Sequence, residues 1–258
     1  VSAQQDIATW PATILGLIPE ASNDTYLIVL TPPTGAALKA VYKPSQGEAF
    51  LQDFSELARR EVAAYRLSHL SGLSCVPETI MRSDLPHGPG SVQLFVDSAG
   101  DDPVVDAWPS DHVPDNVAPV FRGYNTDGAE VVVGHALRDR LFDIAVFDVM
   151  ANNADRKGSH VIDGYLPGEQ EATLWAIDNG LSFHPEPKLR TVLWGFAGTR
   201  LAPRHLQACE RTLELTAEDL GTTQTETHAL HERARALLSA GTFPYPPVNR
   251  TPIPWPPL

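Results

Sequence analysis

The chain is short of several things, and each shortage narrows what it can be. It has only two cysteines, Cys75 and Cys209, in 258 residues. That is too few for a disulfide framework and fits a reducing, cytoplasmic setting. No apolar run reaches the ~20 residues that a bilayer-spanning helix needs. Val1 to Trp10 has neither the basic start nor the apolar middle of a secretory signal. Cations are scarce too, with 19 Lys plus Arg against 32 Asp plus Glu and a net charge of -13. Such a balance repels nucleic-acid backbones and anionic membrane surfaces unless basic residues are concentrated locally. The densest local set, Arg138, Arg140, Arg156 and Lys157, is interrupted by acids. Neither nucleic-acid binding nor a stable membrane association is expected.

Whole classes of motif are also missing. There is no Gly-x-x-x-x-Gly-Lys-Ser/Thr and no Gly-x-Gly-x-x-Gly, which excludes P-loop and dinucleotide-binding sites. His-Glu-x-x-His and Cys-x-x-Cys are absent, against a zinc hydrolase or a structural zinc site. No Gly-x-Ser-x-Gly nucleophile elbow occurs.

What is present reads as an α+β chain in two lobes. Ile14–Ile18, Tyr26–Leu30 and Ala37–Lys43 are strand-like, the last two joined by the turn Pro32-Pro33-Thr34-Gly35. Residues 55–71 have helical spacing, with Ser55 or Asp53 as N-cap and Gly72 as the stop. Ser91–Val96 is a further strand. Residues 97–130 are rich in Asp, Pro and Gly and read as a loop or crossover. Leu137–Met150 is a helix ended by Asn152-Asn153. Val161-Ile162 and Leu174–Ile177 form a hairpin, and residues 203–215 and 224–239 are helices. The tail from Gly241 carries Pro244, Pro246, Pro247, Pro252, Pro254, Pro256 and Pro257. It is expected either to run extended over the surface or to be disordered, and whether it docks on a protein partner through Trp255 is left open by the sequence. The expected division is a β-rich N-lobe with one helix at 1–97, a connector at 98–130, a mostly helical C-lobe at 131–240 and the proline-rich tail at 241–258.

The chemistry concentrates in two places. Asn152-Asn153-Ala154-Asp155-Arg156-Lys157-Gly158-Ser159-His160 puts a carboxylate in a loop dense with hydrogen-bonding groups. The basic neighbours are expected to hold Asp155 ionised, fit to align a hydroxyl and take its proton. Asp178 ends an apolar strand and precedes Asn179-Gly180, a geometry suited to a metal carboxylate. One acid to orient a hydroxyl and one to hold metal on phosphates are the parts of a phosphoryl-transfer site. Upstream, Lys43 at a strand end would reach phosphate if Glu61 on the following helix held it. Taken singly, Lys43 and Glu61 read first as surface charges, and Asp155 and Asp178 have a second reading as turn residues.

Taken together, these segments resemble a known family. Ala40-Val41-Tyr42-Lys43-Pro44, Arg60-Glu61-Val62-Ala63-Ala64-Tyr65, Gly90-Ser91-Val92-Gln93-Leu94, the Asn152–His160 loop, Ile177-Asp178-Asn179-Gly180 and Leu189-Arg190-Thr191-Val192-Leu193-Trp194 are similar to an actinobacterial family described as phosphatidylinositol 3-/4-kinase-related. The resemblance runs from Ile14 to Ala240. It implies a two-lobed, atypical protein-kinase-like fold, in a wider group with lipid kinases and HipA-type toxin kinases, and ATP bound between the lobes. By resemblance, Lys43 is the phosphate-binding lysine and Glu61 the glutamate that orients it. Asp155 is the catalytic aspartate, with Lys157 two residues on, and Asp178 is the metal aspartate. Ser22 and Asn23 fall in the phosphate-covering turn, and Gln93, Leu94, Phe95 and Val96 near the hinge that meets adenine. Two departures stand out. His160 occupies the position of the metal-binding asparagine, and Asp-Phe-Gly has become Asp178-Asn179-Gly180.

The implied activity is ATP- and metal-dependent transfer of a γ-phosphoryl group, with Mg²⁺ or Mn²⁺, to a hydroxyl of a protein or small molecule. A lipid acceptor is disfavoured because the acidic chain lacks a basic amphipathic face. The alternatives are a nucleotide-binding pseudokinase acting as a regulatory module and a transferase that moves AMP instead.

Overall fold

The computed structural model describes residues 7–19, 23–48, 51–100 and 103–258. The first lobe is built on a five-stranded antiparallel sheet. Strand β1 (Ala12–Leu17), β2 (Tyr26–Leu30) and β3 (Leu38–Pro44) form a meander. Helix α1 (Leu57–Ser71) follows, then β4 (Thr79–Arg82) and β5 (Gly90–Leu94), giving the strand order β1-β2-β3-β5-β4. The period of two along β3 decides what each face does. Ala40 and Tyr42 are fully buried in a small core with Ile28, Leu30, Val92 and Leu94. Val41 and Lys43 lie on the opposite face and line a cleft. The strand end carrying Lys43 packs closely on β5 because Gly90 has no side chain. A Cβ there would fall 2.3 Å from the Lys43 carbonyl oxygen.

Helix α1 starts differently from the sequence expectation. Its N-cap is Glu56, in a left-handed conformation (φ 56°) and without a side-chain cap. The amide of Ala58 is instead satisfied from a distance by Glu48 Oε1 at 2.8 Å. Neither Ser55 nor Asp53 caps the helix. Gly72 does end it, with φ 86° and its amide donating to the His69 carbonyl.

Residues 97–130 are not a plain loop. Strand β6 (Asp97–Ser98) joins a later hairpin. Strands β7 (Val105–Pro109), β8 (Val117–Tyr124) and β9 (Glu130–Ala136) form a three-stranded antiparallel sheet in the order β7-β9-β8. The segment expected to be a connector therefore carries most of a sheet of its own.

Helix α2 (Asp139–Ala151) is the centre of the second lobe, buried continuously from Leu141 to Ala151. A helix apolar on all sides belongs inside. Its two buried acids are both paired, Asp143 with Arg204 and His205, and Asp148 with Arg156. The hairpin of β10 (Val161–Tyr165) and β11 (Thr173–Ala176) adds β6 as a third strand. Helices α3 (Pro203–Glu214), α4 (Ala217–Leu220) and α5 (Gln224–Ala240) complete the lobe. Thr223 and Glu226 close a capping box at the start of α5. The main core joins α2, α3 and α5 with Ala63, Ala64 and Leu67 of α1, so the first lobe's helix is anchored in the second lobe.

The proline-rich tail is extended, as its composition requires, but it is tied down. Phe243 is fully buried and exchanges backbone hydrogen bonds with Gly198 and Thr199. The Pro252 carbonyl accepts from the Thr191 amide and from Trp194 Nε1. Cys75 and Cys209 are buried free thiols, and burial pushes both up to about 11. No helix among the described residues is long and apolar enough to cross a membrane.

Candidate active site

The cleft between the lobes gathers residues from five elements. Lys43, facing it from β3, is shared by two carboxylates. Its Nζ lies 2.6 Å from Glu61 Oε1 on α1 and 2.8 Å from Asp178 Oδ1. Burial alone would favour the neutral amine, but Asp178 and Glu61 outweigh it and raise the Lys43 pKa. The Asp178 carboxyl moves the other way, held well below the usual range chiefly by Lys43. Glu61 does a second job through Oε2, which accepts the Asn179 amide at 2.9 Å. One glutamate thus fixes both the lysine and the turn that carries Asp178.

That turn has a polar anchor. Asn179 is fully buried. Its Nδ2 donates to the Ala176 carbonyl at 3.1 Å, and its Oδ1 accepts from Arg156 at 2.6 Å. Where the resembling motif has an apolar phenylalanine, this chain uses an amide inside a hydrogen-bond network. Asp178 itself has φ 54°, a left-handed conformation uncommon for residues other than Gly, Asn and Asp.

The Asn152–His160 loop is built from its asparagines. Asn152, in the left-handed region at φ 57°, ends α2, and its side chain binds the backbone of His184, Glu186 and Lys188. Asn153 Oδ1 accepts the Asp155 amide at 2.8 Å, setting the direction of that residue. Lys157 Nζ lies 3.1 Å from Asp155 Oδ2. The basic neighbours do not bring the Asp155 carboxyl below its ordinary range. Burial raises the Asp155 pKa, and Lys157 offsets only part of the rise. Arg156 points the other way. It is fully buried, and its donors go to Asp148, Asn179 and the carbonyls of His160 and Ile177. The sequence-level cation cluster is dispersed as well. Arg138 pairs with Asp163, and Arg140 binds the Leu73 and Ser74 carbonyls.

His160 meets Asp178 across the cleft floor. Its Nδ1 is 2.8 Å from the Asp155 carbonyl oxygen, which assigns the ring proton to Nδ1. Its Nε2 then keeps a lone pair, 3.3 Å from Asp178 Oδ2. Burial brings the imidazole down to about 4, with Asp178 opposing, so it is neutral at physiological pH. A neutral imidazole nitrogen and a carboxylate oxygen 3.3 Å apart are two electron-pair donors of the kind a divalent cation takes. Among the described residues no group of three or more His, Cys, Asp or Glu side chains is arranged for a metal ion.

Two connected spaces lie over these groups. One, of about 510 Å³, is lined by Lys43, Asp155, Lys157, His160 and Asp178 together with Ile18, Val41, Ile162 and Ile177. Gln93, Leu94, Phe95 and Val96 also border it, although Gln93 turns its side chain onto Thr79 Oγ1 at 2.8 Å. The other, of about 140 Å³, shares Asn23, Lys43, Asp155 and Asp178 and adds Asp24, Glu48 and Glu61. Asp155 and Asp178 therefore face one crevice. Ser22 lies outside the described residues. Sequence reasoning missed Asp148, Asn153 and the anchoring role of Asn179. The available signal was an acid inside an otherwise apolar helix, which requires a buried cation.

A sheet-rich lobe over a helical lobe, with the lysine, glutamate and two aspartates at their junction, defines an atypical kinase-like fold. Hydra Fam20 with sugar is similar over 93% of this chain and 89% of its own, at a TM-score of 0.51 and 15% identity. The Golgi casein kinase is similar over 91% of this chain and 72% of its own, at 0.53 and 15%. Its form with Mn/ADP bound gives 0.51 and 14% over 91% of this chain and 73% of that one. No family model matches the chain. It is 40% identical over 267 residues to Protein Rv2133c of Mycobacterium tuberculosis (strain ATCC 25618 / H37Rv), covering 97% of this chain and 93% of that protein. The chain belongs to the family of that protein.

Proposed function

We propose that this chain is an ATP- and divalent-metal-dependent phosphotransferase that moves a γ-phosphoryl group to a hydroxyl of a protein or small molecule. The observation that carries the reading is the sharing of the Lys43 ammonium by Glu61 and Asp178 at 2.6 and 2.8 Å, with Asp155 facing the same crevice. Lys43 binds phosphate oxygens, and Glu61 keeps it extended toward them. Ile18, Val41, Ile162 and Ile177 sandwich the base, with Leu94 to Val96 along its edge. Asp155 accepts the hydrogen bond of the acceptor hydroxyl, aligns it and takes its proton late. Lys157 limits the charge that builds up beside it. Asp178 and His160 would hold a divalent cation, which when bound would neutralise phosphate charge. An imidazole ligand favours Mn²⁺ over Mg²⁺, and the Golgi casein kinase structure with Mn/ADP bound supports that choice.

The test is incubation with γ-labelled and α-labelled ATP in Mn²⁺ or Mg²⁺, with protein and small-molecule alcohols as acceptors. Transfer of the γ label is expected. Transfer of the α label would make the chain an AMP transferase, and nucleotide binding without turnover a pseudokinase. Either result overturns the proposal.

A further inference from the structure

Residues Pro256 to Leu258 lie against the Asp155 loop. The Pro257 carbonyl accepts the Gly158 amide at 2.9 Å, one residue beyond Lys157. The Leu258 side chain packs on Gly158 beside Val105, so closely that a Cβ on Gly158 would meet Leu258 Cδ2 and Val105 Cβ at 3.1 Å each. Pro256 and Leu258 border the larger cavity, the same space lined by Lys43, Asp155, His160 and Asp178. Upstream, the strap is held at Phe243, at Pro252 and at the buried Pro254.

From this geometry we infer that Pro256 to Leu258 form a wall of the nucleotide site and a positioning element for its loop. The inference rests on the nucleotide reading above. A plug would fill the cavity, whereas this segment borders about 510 Å³ of open space. Its two contributions are separable. Pro256 and Leu258 add apolar surface that a bound base or ribose covers. The Pro257 carbonyl fixes the peptide that follows Lys157, and so fixes the approach of Lys157 to Asp155. A side chain at Gly158 would press on Leu258 and on Val105 alike.

The experiment compares the full chain with one ending at Pro254, which keeps every upstream anchor, and with Leu258→Ala. Calorimetric titration with ATP and Mn²⁺ gives affinity, and amide exchange without ligand gives the protection of Gly158. The expected result is about tenfold weaker nucleotide binding in the shortened chain and a smaller loss in Leu258→Ala, with faster Gly158 exchange in the shortened chain. Equal affinity within about twofold overturns the inference alone. Tighter binding in the shortened chain also overturns it and makes the segment an occluding one. A full chain that binds no nucleotide while Gly158 stays protected overturns the phosphotransferase reading, and the inference with it.

Discussion

Arg156 and Lys43 grip the same turn, Ile177 to Gly180, and each does so together with carboxylates, yet their surroundings differ in one decisive respect. Arg156 and Asp148 are both 0% exposed, and the guanidinium spends its donors on Asp148, on Asn179 and on two carbonyls. Burial works against its charge, but Asp148 more than compensates and its pKa rises. Such a cation has nothing left to offer a ligand. It is a strut joining α2, the Asp155 loop and the Asp178 turn. Lys43 is 25% exposed and its partner Asp178 49%, and both border the cavities. Similar ion-pair chemistry gives a sealed support in one case and a site open to exchange in the other. What separates them is hydrogen-bond saturation and access to solvent, not the strength of the pairing.

The same substitution at the two acids tests this most severely. Asp148→Asn leaves Arg156 buried without its counter-charge and is expected to cost about 3–5 kcal/mol of stability. In urea this appears as a lower midpoint at unchanged slope. Asp178→Asn puts a residue that tolerates a left-handed backbone into a half-exposed position, so stability should hold within about 1 kcal/mol. Turnover should fall on the order of a thousandfold, with loss of metal-dependent nucleotide binding. If both variants unfold at similar urea concentrations, the distinction between strut and site fails. If Asp178→Asn keeps metal-dependent binding, Asp178 leaves the metal site.

Glu61 sharpens the comparison because it belongs to both sides. One oxygen holds Lys43 and the other holds the Asn179 amide. Glu61→Gln keeps an acceptor for the amide and removes the charge that fixes the lysine. The expected loss is about tenfold to a hundredfold in kcat/KM, with near-native stability. A drop in stability as large as that of Asp148→Asn would move Glu61 to the structural side.

Much of this is legible in the sequence. Strand Tyr26–Leu30 and helix 203–214 follow from local pattern alone, and Lys43, Glu61, Asp155 and Asp178 stand out by chemistry and motif order. What was hidden depended on long-range partners or on composition that misleads. Arg156 follows Asp155 in the chain, so it read as that residue's counter-ion. In the folded chain it turns inward to an acid on the preceding helix, a pairing that only burial reveals. The sheet of β7 to β9 was masked by Asp, Pro and Gly, which usually mark loops. The run Val131-Val132-Val133 was its one strong strand signal, and it fell at the edge of the expected connector. The tail's proline content excluded a helix but could not show that Pro252 and Phe243 would dock.

The smallest expected effect concerns the pH at which the site switches on. Asp155 acts as an acceptor only when ionised, and burial raises its pKa while Lys157 lowers it. The acid limb of kcat/KM should therefore lie above the ordinary aspartate value of about 3.9. Replacing Lys157 with Met removes the lowering influence and keeps the burial, so the limb must move to higher pH. Stability reports the same raised pKa with the opposite slope. Between the unfolded and the raised folded pKa the folded chain binds more protons than the unfolded one, so this carboxyl makes stability fall as pH rises, over a wider window in Lys157→Met. A pH–rate profile on both proteins, with urea midpoints across the same range, reads both effects. A limb that stays in place or moves to lower pH would mean that Lys157 does not act on Asp155, and that the 3.1 Å contact between them carries no weight in the chemistry.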